Sequence, residues 1–206
     1  MALFITFEGG EGSGKSVQAK ALYRKMVRLN IPAVFTHEPG GTPLGEKLAR
    51  WLKWSQGQYM SPLAELLIFN ASRTQLIEEV IQPGLNDGKV VICDRYVDST
   101  IAYQGYGRGL DLAMVEAVTA IATRGIKPDL TVLLDLPVEE GLARKRKQKP
   151  DRFEQEEIDF HQRVRQGFLK LAESEPDRWL VIDARQSRAK IAGIIWERVH
   201  ILLAAQ

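Results

Sequence analysis

The chain has 206 residues, a formal net charge of +2, 45% hydrophobic and 26% charged residues, enough apolar content for a packed core and too much for a disordered chain. No apolar run approaches the ~18 residues of a membrane span, Met1 to Glu8 lacks the basic start of a secretory signal, and the single cysteine, Cys93, makes no internal disulfide, so a cytoplasmic setting is expected. The basic excess is local: from Arg144 to Arg152 six basic residues stand against Asp151 alone. A nucleic-acid binder spreads positive charge over a face. One short basic segment suits a small, multiply anionic ligand instead, so neither nucleic acid nor membrane is expected as a partner.

Short apolar runs alternate with helical stretches, the pattern of a parallel sheet wrapped by helices. Residues 3–7 read as a first strand followed by a glycine-rich turn, and Ala19, Leu22, Met26 and Leu29 predict a helix over 16–29. A second strand is expected at 33–36. Leu44, Leu48 and Trp51 or Leu52 mark a helix, and a long helix runs over 62–81, ended by Pro83-Gly84. The apolar run 90–93 reads as a buried central strand. Further helices are expected at 110–123, 139–147, 154–173 and 189–203, and further strands at 130–136 and 179–182. Trp51, Trp54, Trp179 and Trp196 read as packing residues. With five strands, no repeat and no linker, the chain is expected to be one α/β domain, residues 1–206, carrying a basic lid segment at about 144–154.

Gly9-Gly10-Glu11-Gly12-Ser13-Gly14-Lys15-Ser16 fits G-x-x-x-x-G-K-[ST] between a predicted strand and a predicted helix, the context that gives this motif its meaning. Backbone N–H groups of such a loop curl around phosphate oxygens, and the helix N-terminus adds a favourable dipole. Lys15 would reach the β- and γ-phosphates and Ser16 would help hold Mg²⁺. This is a nucleoside triphosphate site, but the loop alone does not separate a kinase from an ATPase switch.

Asp94-Arg95-Tyr96 follows the predicted central strand, and open α/β sheets bind ligands at the carboxyl ends of their strands. An acid there can hold Mg²⁺ through water, and Arg95 offers a fork for an acceptor phosphate. Phe69 and Arg73, four residues apart, share one helix face. A ring can stack on a pyrimidine, and Arg only donates, so Arg73 suits the thymine O4 acceptor rather than the cytosine amino group. Spacing alone favours the plainer reading, in which Phe69 extends the apolar stripe of Leu66 and Leu67.

In order along the chain, the Gly9–Ser16 loop, Glu38-Pro39-Gly40-Gly41-Thr42, Phe69-Asn70-Ala71-Ser72-Arg73, Asp94-Arg95-Tyr96, Tyr103-Gln104-Gly105 and Asp151-Arg152-Phe153-Glu154 resemble the bacterial thymidylate kinase family. The resemblance covers roughly residues 3–183. It implies a three-layer α/β/α sandwich around a five-stranded parallel sheet of order 2-3-1-4-5, a homodimer, and transfer from ATP to dTMP with Mg²⁺. It places Ser99, Thr100, Tyr103 and Gln104 around base and sugar, with Gln104 the better candidate for a base contact, and Glu11 near the sugar 3′-hydroxyl. One branch of the family carries an Arg within the phosphate loop; Gly12 and the basic segment fit the other, in which the lid supplies that charge. Arg152 is then the first candidate to reach the transferring group, with Arg144 and Arg146 behind it. Two departures, His37 for an Arg and Ala49 with Arg50 shifted by one position, reduce the positive charge expected at the acceptor phosphate. The competing readings are a kinase for another nucleoside or nucleotide and an ATPase switch without a small acceptor.

Overall fold

The computed structural model describes residues 2–54, 59–145 and 150–204. Five parallel strands, β1 (Leu3–Glu8), β2 (Ala33–His37), β3 (Val90–Asp94), β4 (Leu130–Asp135) and β5 (Trp179–Asp183), form one sheet in the order β2-β3-β1-β4-β5. Alternation along the strands divides the core. Leu3, Ile5, Phe7, Ile92 and Val132 pack on one face with Leu22, Met26, Ile191, Ile195 and Val199 from α1 (Lys15–Arg28) and α9 (Arg188–Ala204). Phe4, Val91 and Cys93 point to the other face. There they meet the long helical rod that begins as α3 (Pro62–Leu76), while Leu133 on the same face meets α8 (Ile158–Ser174). The expected three layers and strand order are present.

The remaining helices are α2 (Pro43–Trp54), α4 (Gln82–Asn86), α5 (Val97–Thr100), α6 (Leu112–Thr123) and α7 (Val138–Lys145). Three expectations change. The helix from Pro62 does not end at Pro83-Gly84: a π-helical turn, Ile77–Ile81, widens the hydrogen-bond ladder, and the rod continues through Pro83 as α4. The helix expected from 154 starts at Ile158, because Asp151 Oδ1 accepts from Phe153 N at 2.9 Å and Glu154 N at 3.0 Å, folding the preceding residues into a turn. Trp51 is 65% exposed and Trp54 47%, so of the four tryptophans Trp179 packs in the core and Trp196 against it, as expected, while the other two do not sit in it. Ser99 and Thr100 lie on α5, which passes into a second π-helical stretch, Ile101–Gly107, carrying Tyr103 and Gln104. Arg146 and the following residues of the basic segment to 149 lie outside the described residues.

The register pairs Phe7 with Asp94 and His37 with Asp94. The carboxyl ends of β1, β2 and β3 therefore meet at one rim of the sheet, where the glycine-rich loop, Glu38 and Arg95 emerge.

Candidate active site

The loop from Gly9 to Gly14 joins β1 to α1, with Gly12 at φ +67° and Gly14, the residue before α1, at φ +88°. These left-handed values favour glycine. Lys15 curls back to donate to Gly10 O at 3.3 Å and is buried. Burial pulls its ammonium down to about 8, with Arg95 pushing the same way and Glu11, Asp94 and Glu8 opposing. Two buried oxygens, Ser13 Oγ in the phosphate loop and Asp94 Oδ1 at the end of β3, have no hydrogen-bond partner among the described residues. Buried polar groups are nearly always satisfied, so both await a ligand atom or water.

Beside this loop opens a cleft of about 470 Å³, lined by every acceptor-side residue singled out above: Glu11, Phe69, Arg73, Arg95, Ser99, Thr100, Tyr103 and Gln104, together with Lys15, Ser16 and Asp94. Arg95 lies at its centre. Its backbone is left-handed, φ +72°, a conformation worth roughly 1–2 kcal/mol of strain for a residue with a side chain. Its side chain is fully committed in direction: Nη1 donates to Ser99 Oγ at 2.9 Å, and Nη2 to Glu11 Oε1 at 2.9 Å and Tyr103 Oη at 3.1 Å. One Nη1 hydrogen and the Nε hydrogen have no acceptor among the described residues. Burial alone would raise the Glu11 carboxyl, yet Lys15, Arg95, the Tyr103 hydroxyl and Lys145 hold it down at about 2. Glu11 is therefore a fixed negative charge between the phosphate loop and the cleft.

The Arg95 turn is anchored from below by Glu8, which sequence reading left without a role in the site. Its buried carboxyl accepts from Tyr96 N at 2.8 Å, Ser99 N at 3.3 Å and the Ser99 hydroxyl. Burial and then the neighbouring Asp98 push it up to about 8, against Arg95, Ser99 and Tyr96.

Arg73 is 1% exposed and forms a buried ion pair with Glu38, Nη2 to Oε2 at 2.7 Å. It also donates from Nη2 to Tyr96 O and Thr100 Oγ1 and from Nη1 to Asn70 Oδ1 at 3.1 Å. A second Nη1 hydrogen has no acceptor among the described residues. Phe69 is half-buried at the cleft wall and faces Phe153, ring centroids 5.8 Å apart. It thus packs against an aromatic cluster and also lines the cleft.

The thymidylate kinase family model matches residues 7–193. The chain belongs to the thymidylate kinase family. It is 56% identical over 206 residues to the thymidylate kinase of Dehalococcoides mccartyi (strain CBDB1), covering 100% of this chain and 99% of that one. It is 45% identical over 218 residues to that of Roseiflexus sp. (strain RS-1), covering 100% and 96%. The crystal structure of thymidylate kinase from Ehrlichia chaffeensis superposes with a TM-score of 0.77 at 34% identity, covering 98% of each chain.

Against the family pattern, the basic segment is where the structure redirects expectation. Arg152 does not face the phosphate loop. Its Nε donates to Leu52 O at 2.9 Å and its Nη2 pairs with buried Glu65, so the guanidinium is occupied on the far side of the cleft. Arg144 instead lies over the loop, with Nη1 3.4 Å from Gly12 O and 3.5 Å from Ala184 O. Lys145 reaches into the cleft to Glu154 at 2.6 Å, with Glu11 Oε2 3.9 Å away. Of the two departures, His37 lines the cleft and pairs with Glu46 at 3.1 Å, whereas Arg50 is exposed and stands away from it. Lys53, one helical turn after Ala49 and so on the same face of α2, lines the cleft in its place. Glu38 and Phe153 stood in the family motifs without a role of their own, and Glu8 and Glu65 were assigned none. Lys53 could have been found from its +4 offset from Ala49.

Proposed function

We infer that this chain transfers the γ-phosphoryl group of ATP to dTMP, giving ADP and dTDP. The observation that carries this reading is Arg95, held by Glu11 of the phosphate loop and by Ser99 and Tyr103 of the cleft, with N–H groups of its guanidinium left without an acceptor among the described residues. An acceptor phosphate on those groups lies beside the loop that cradles the donor. A phosphate oxygen of dTMP attacks the γ-phosphorus as the bond to the β–γ bridging oxygen breaks, and ADP leaves. The attacking oxygen is already anionic, so no strong general base is needed; positioning and charge neutralisation do the work.

Gly9 to Ser16 hold the triphosphate, and Lys15 neutralises the charge that builds on the transferring group. Ser16 Oγ and, through water, the unpartnered Asp94 Oδ1 suit Mg²⁺, which when bound neutralises the β- and γ-phosphates. Phe69 stacks on the base, Arg73 donates to O4, Gln104 reads the ring edge, Ser99 and Thr100 line its path, and Tyr103 closes the sugar side. Glu11 Oε2, the oxygen that Arg95 leaves unused, is available to the 3′-hydroxyl. Arg144, with Arg146 beside it in sequence, is the lid arginine for the γ-phosphate. The reading includes a single catalytic domain with its lid at about 144–154 and a cytoplasmic setting. A homodimer is supported by Leu63, Leu67 and Ile121, apolar and 45–79% exposed on α3 and α6. An assay of ADP production over a panel of nucleoside monophosphates tests the assignment. A clear preference for dTMP, with dUMP weaker by about tenfold or less for the lost methyl and dCMP poor, is the expected result. Equal rates on dCMP would refute the base reading, and ADP release independent of any monophosphate would favour the ATPase switch.

A further inference from the structure

Glu65 on α3 is fully buried and takes no direct part in the transfer described above. It nevertheless gathers three side chains from two distant parts of the chain. Oε1 accepts from Gln104 Nε2 at 2.7 Å and Arg108 Nε at 3.2 Å; Oε2 accepts from Arg108 Nη2 at 3.2 Å and from Arg152 Nη2. Gln104 is itself 1% exposed, yet it lines the cleft.

The chemistry of this contact has a direction. A primary amide has two ends of nearly equal shape and opposite hydrogen-bonding character, and its surroundings decide which end points where. A carboxylate only accepts. Glu65 therefore holds the amide NH₂ of Gln104 on itself and turns Oε1 away, and Oε1 meets no donor among the described residues. The two arginines keep Glu65 from swinging aside, since Arg108 spans both of its oxygens and Arg152 holds Oε2. Arg152 contributes from the lid side, stacked 4.8 Å over the Phe153 ring that also faces Phe69.

We propose that Glu65 is the positioning residue for base specificity: it fixes Gln104 as an acceptor toward the base. With Arg73 presenting its spare N–H beside it, the cleft offers one donor and one acceptor. That pair matches a pyrimidine with a carbonyl at C4 and a hydrogen on N3. Cytosine presents the reverse, an amino group and a bare N3, and leaves two donors and two acceptors opposed. A free glutamine could flip to suit cytosine; one clamped by a carboxylate cannot. This inference rests on dTMP being the acceptor and explains how it is selected.

The test compares kcat/KM for dTMP and dCMP in the parent, in Glu65→Gln and in Glu65→Asp. Glu65→Gln can present either end to Gln104, and Glu65→Asp keeps the charge facing the arginines while withdrawing it from the amide. Both are expected to lower the dTMP-to-dCMP ratio at least tenfold, with dCMP turnover holding or rising while dTMP turnover falls. A purely structural role would lower both substrates together and leave the ratio alone. A folded variant of either kind whose ratio stays within twofold of the parent overturns the proposal. A parent without preference for dTMP would instead remove the underlying base reading. A second measurement needs no change at Glu65: the Gln104 side-chain NH₂ signals in nuclear magnetic resonance, assigned with Gln104→Met, should be protected from solvent exchange both with and without dTMP. Protection appearing only when dTMP binds would show the NH₂ facing the base and would overturn the proposal.

Discussion

Gly12 of the phosphate loop and Gly141 of α7 lie back to back: a Cβ on Gly12 would overlap Gly141 O, and a Cβ on Gly141 would overlap Glu11 O. This is why the loop carries no side chain at position 12. The first turn of α7 occupies the space an arginine there would need, and α7 is the element that brings Arg144 over the loop.

Gly141→Ala tests that contact from outside the phosphate loop and at an ordinary helical backbone position. Overpacking of this kind costs about 1–3 kcal/mol, and Tm falls roughly 2–4 °C per kcal/mol at this chain length. We expect a Tm lower by several degrees and a fall in kcat/KM for ATP, because the loop must shift to admit the methyl group. Unchanged Tm and kinetics would mean that α7 moves away freely.

Lys15→Ala and Arg95→Ala should fail differently. The charge Lys15 stabilises develops during transfer, so kcat should drop by about 10²-fold or more with a smaller change in dTMP KM. Arg95 holds the acceptor in ground and transition states alike, so KM for dTMP should rise at least as clearly as kcat falls. Steady-state kinetics in both substrates decide this; a normal dTMP KM in Arg95→Ala would move the acceptor site elsewhere.

The two described lid arginines should also separate. Arg144 lies over the loop with weak contacts, so Arg144→Ala should reduce kcat by as much as about 10³-fold while leaving Tm within a degree or two. Arg152→Ala removes a partner from buried Glu65, costing about 1–3 kcal/mol, and its Tm should fall by several degrees. Thermal melts beside kcat for each variant check the assignment. A stable Arg152→Ala with a large loss of kcat would return Arg152 to the phosphates.

Glu8 sets a pH dependence of stability. Its carboxyl titrates near 8 in the fold, against about 4.5 unfolded. Between those values the folded protein keeps a proton that the unfolded chain has released. Its contribution to stability is therefore fully present below about pH 4.5 and is lost as pH rises toward 8. Glu8→Gln, which retains an acceptor for Tyr96 N but has no proton to lose, should show a smaller drop in Tm from pH 5 to pH 8 than the parent. Equal drops would place the titration of Glu8 near its ordinary value.

The sequence by itself determined the strands, the phosphate loop and the Asp94-Arg95-Tyr96 turn, because each is written in contiguous residues: apolar runs for buried strands, a glycine-lysine spacing for the loop, a strand end for the turn. The strand order followed only from the family motifs. Helix boundaries failed where a local hydrogen bond outweighed periodicity, as at Asp151, or where the ladder widened, as before Pro83. The tertiary structure alone decided which charges meet. Glu65 and Arg152 stand 87 positions apart, Glu8 and Ser99 91. A residue's hydrophobicity and spacing record whether it is buried in its own element, but the partner that makes burying a carboxylate tolerable comes from elsewhere in the chain. For that reason Arg152, an ordinary lid arginine by its motif, is placed on Glu65 by the fold.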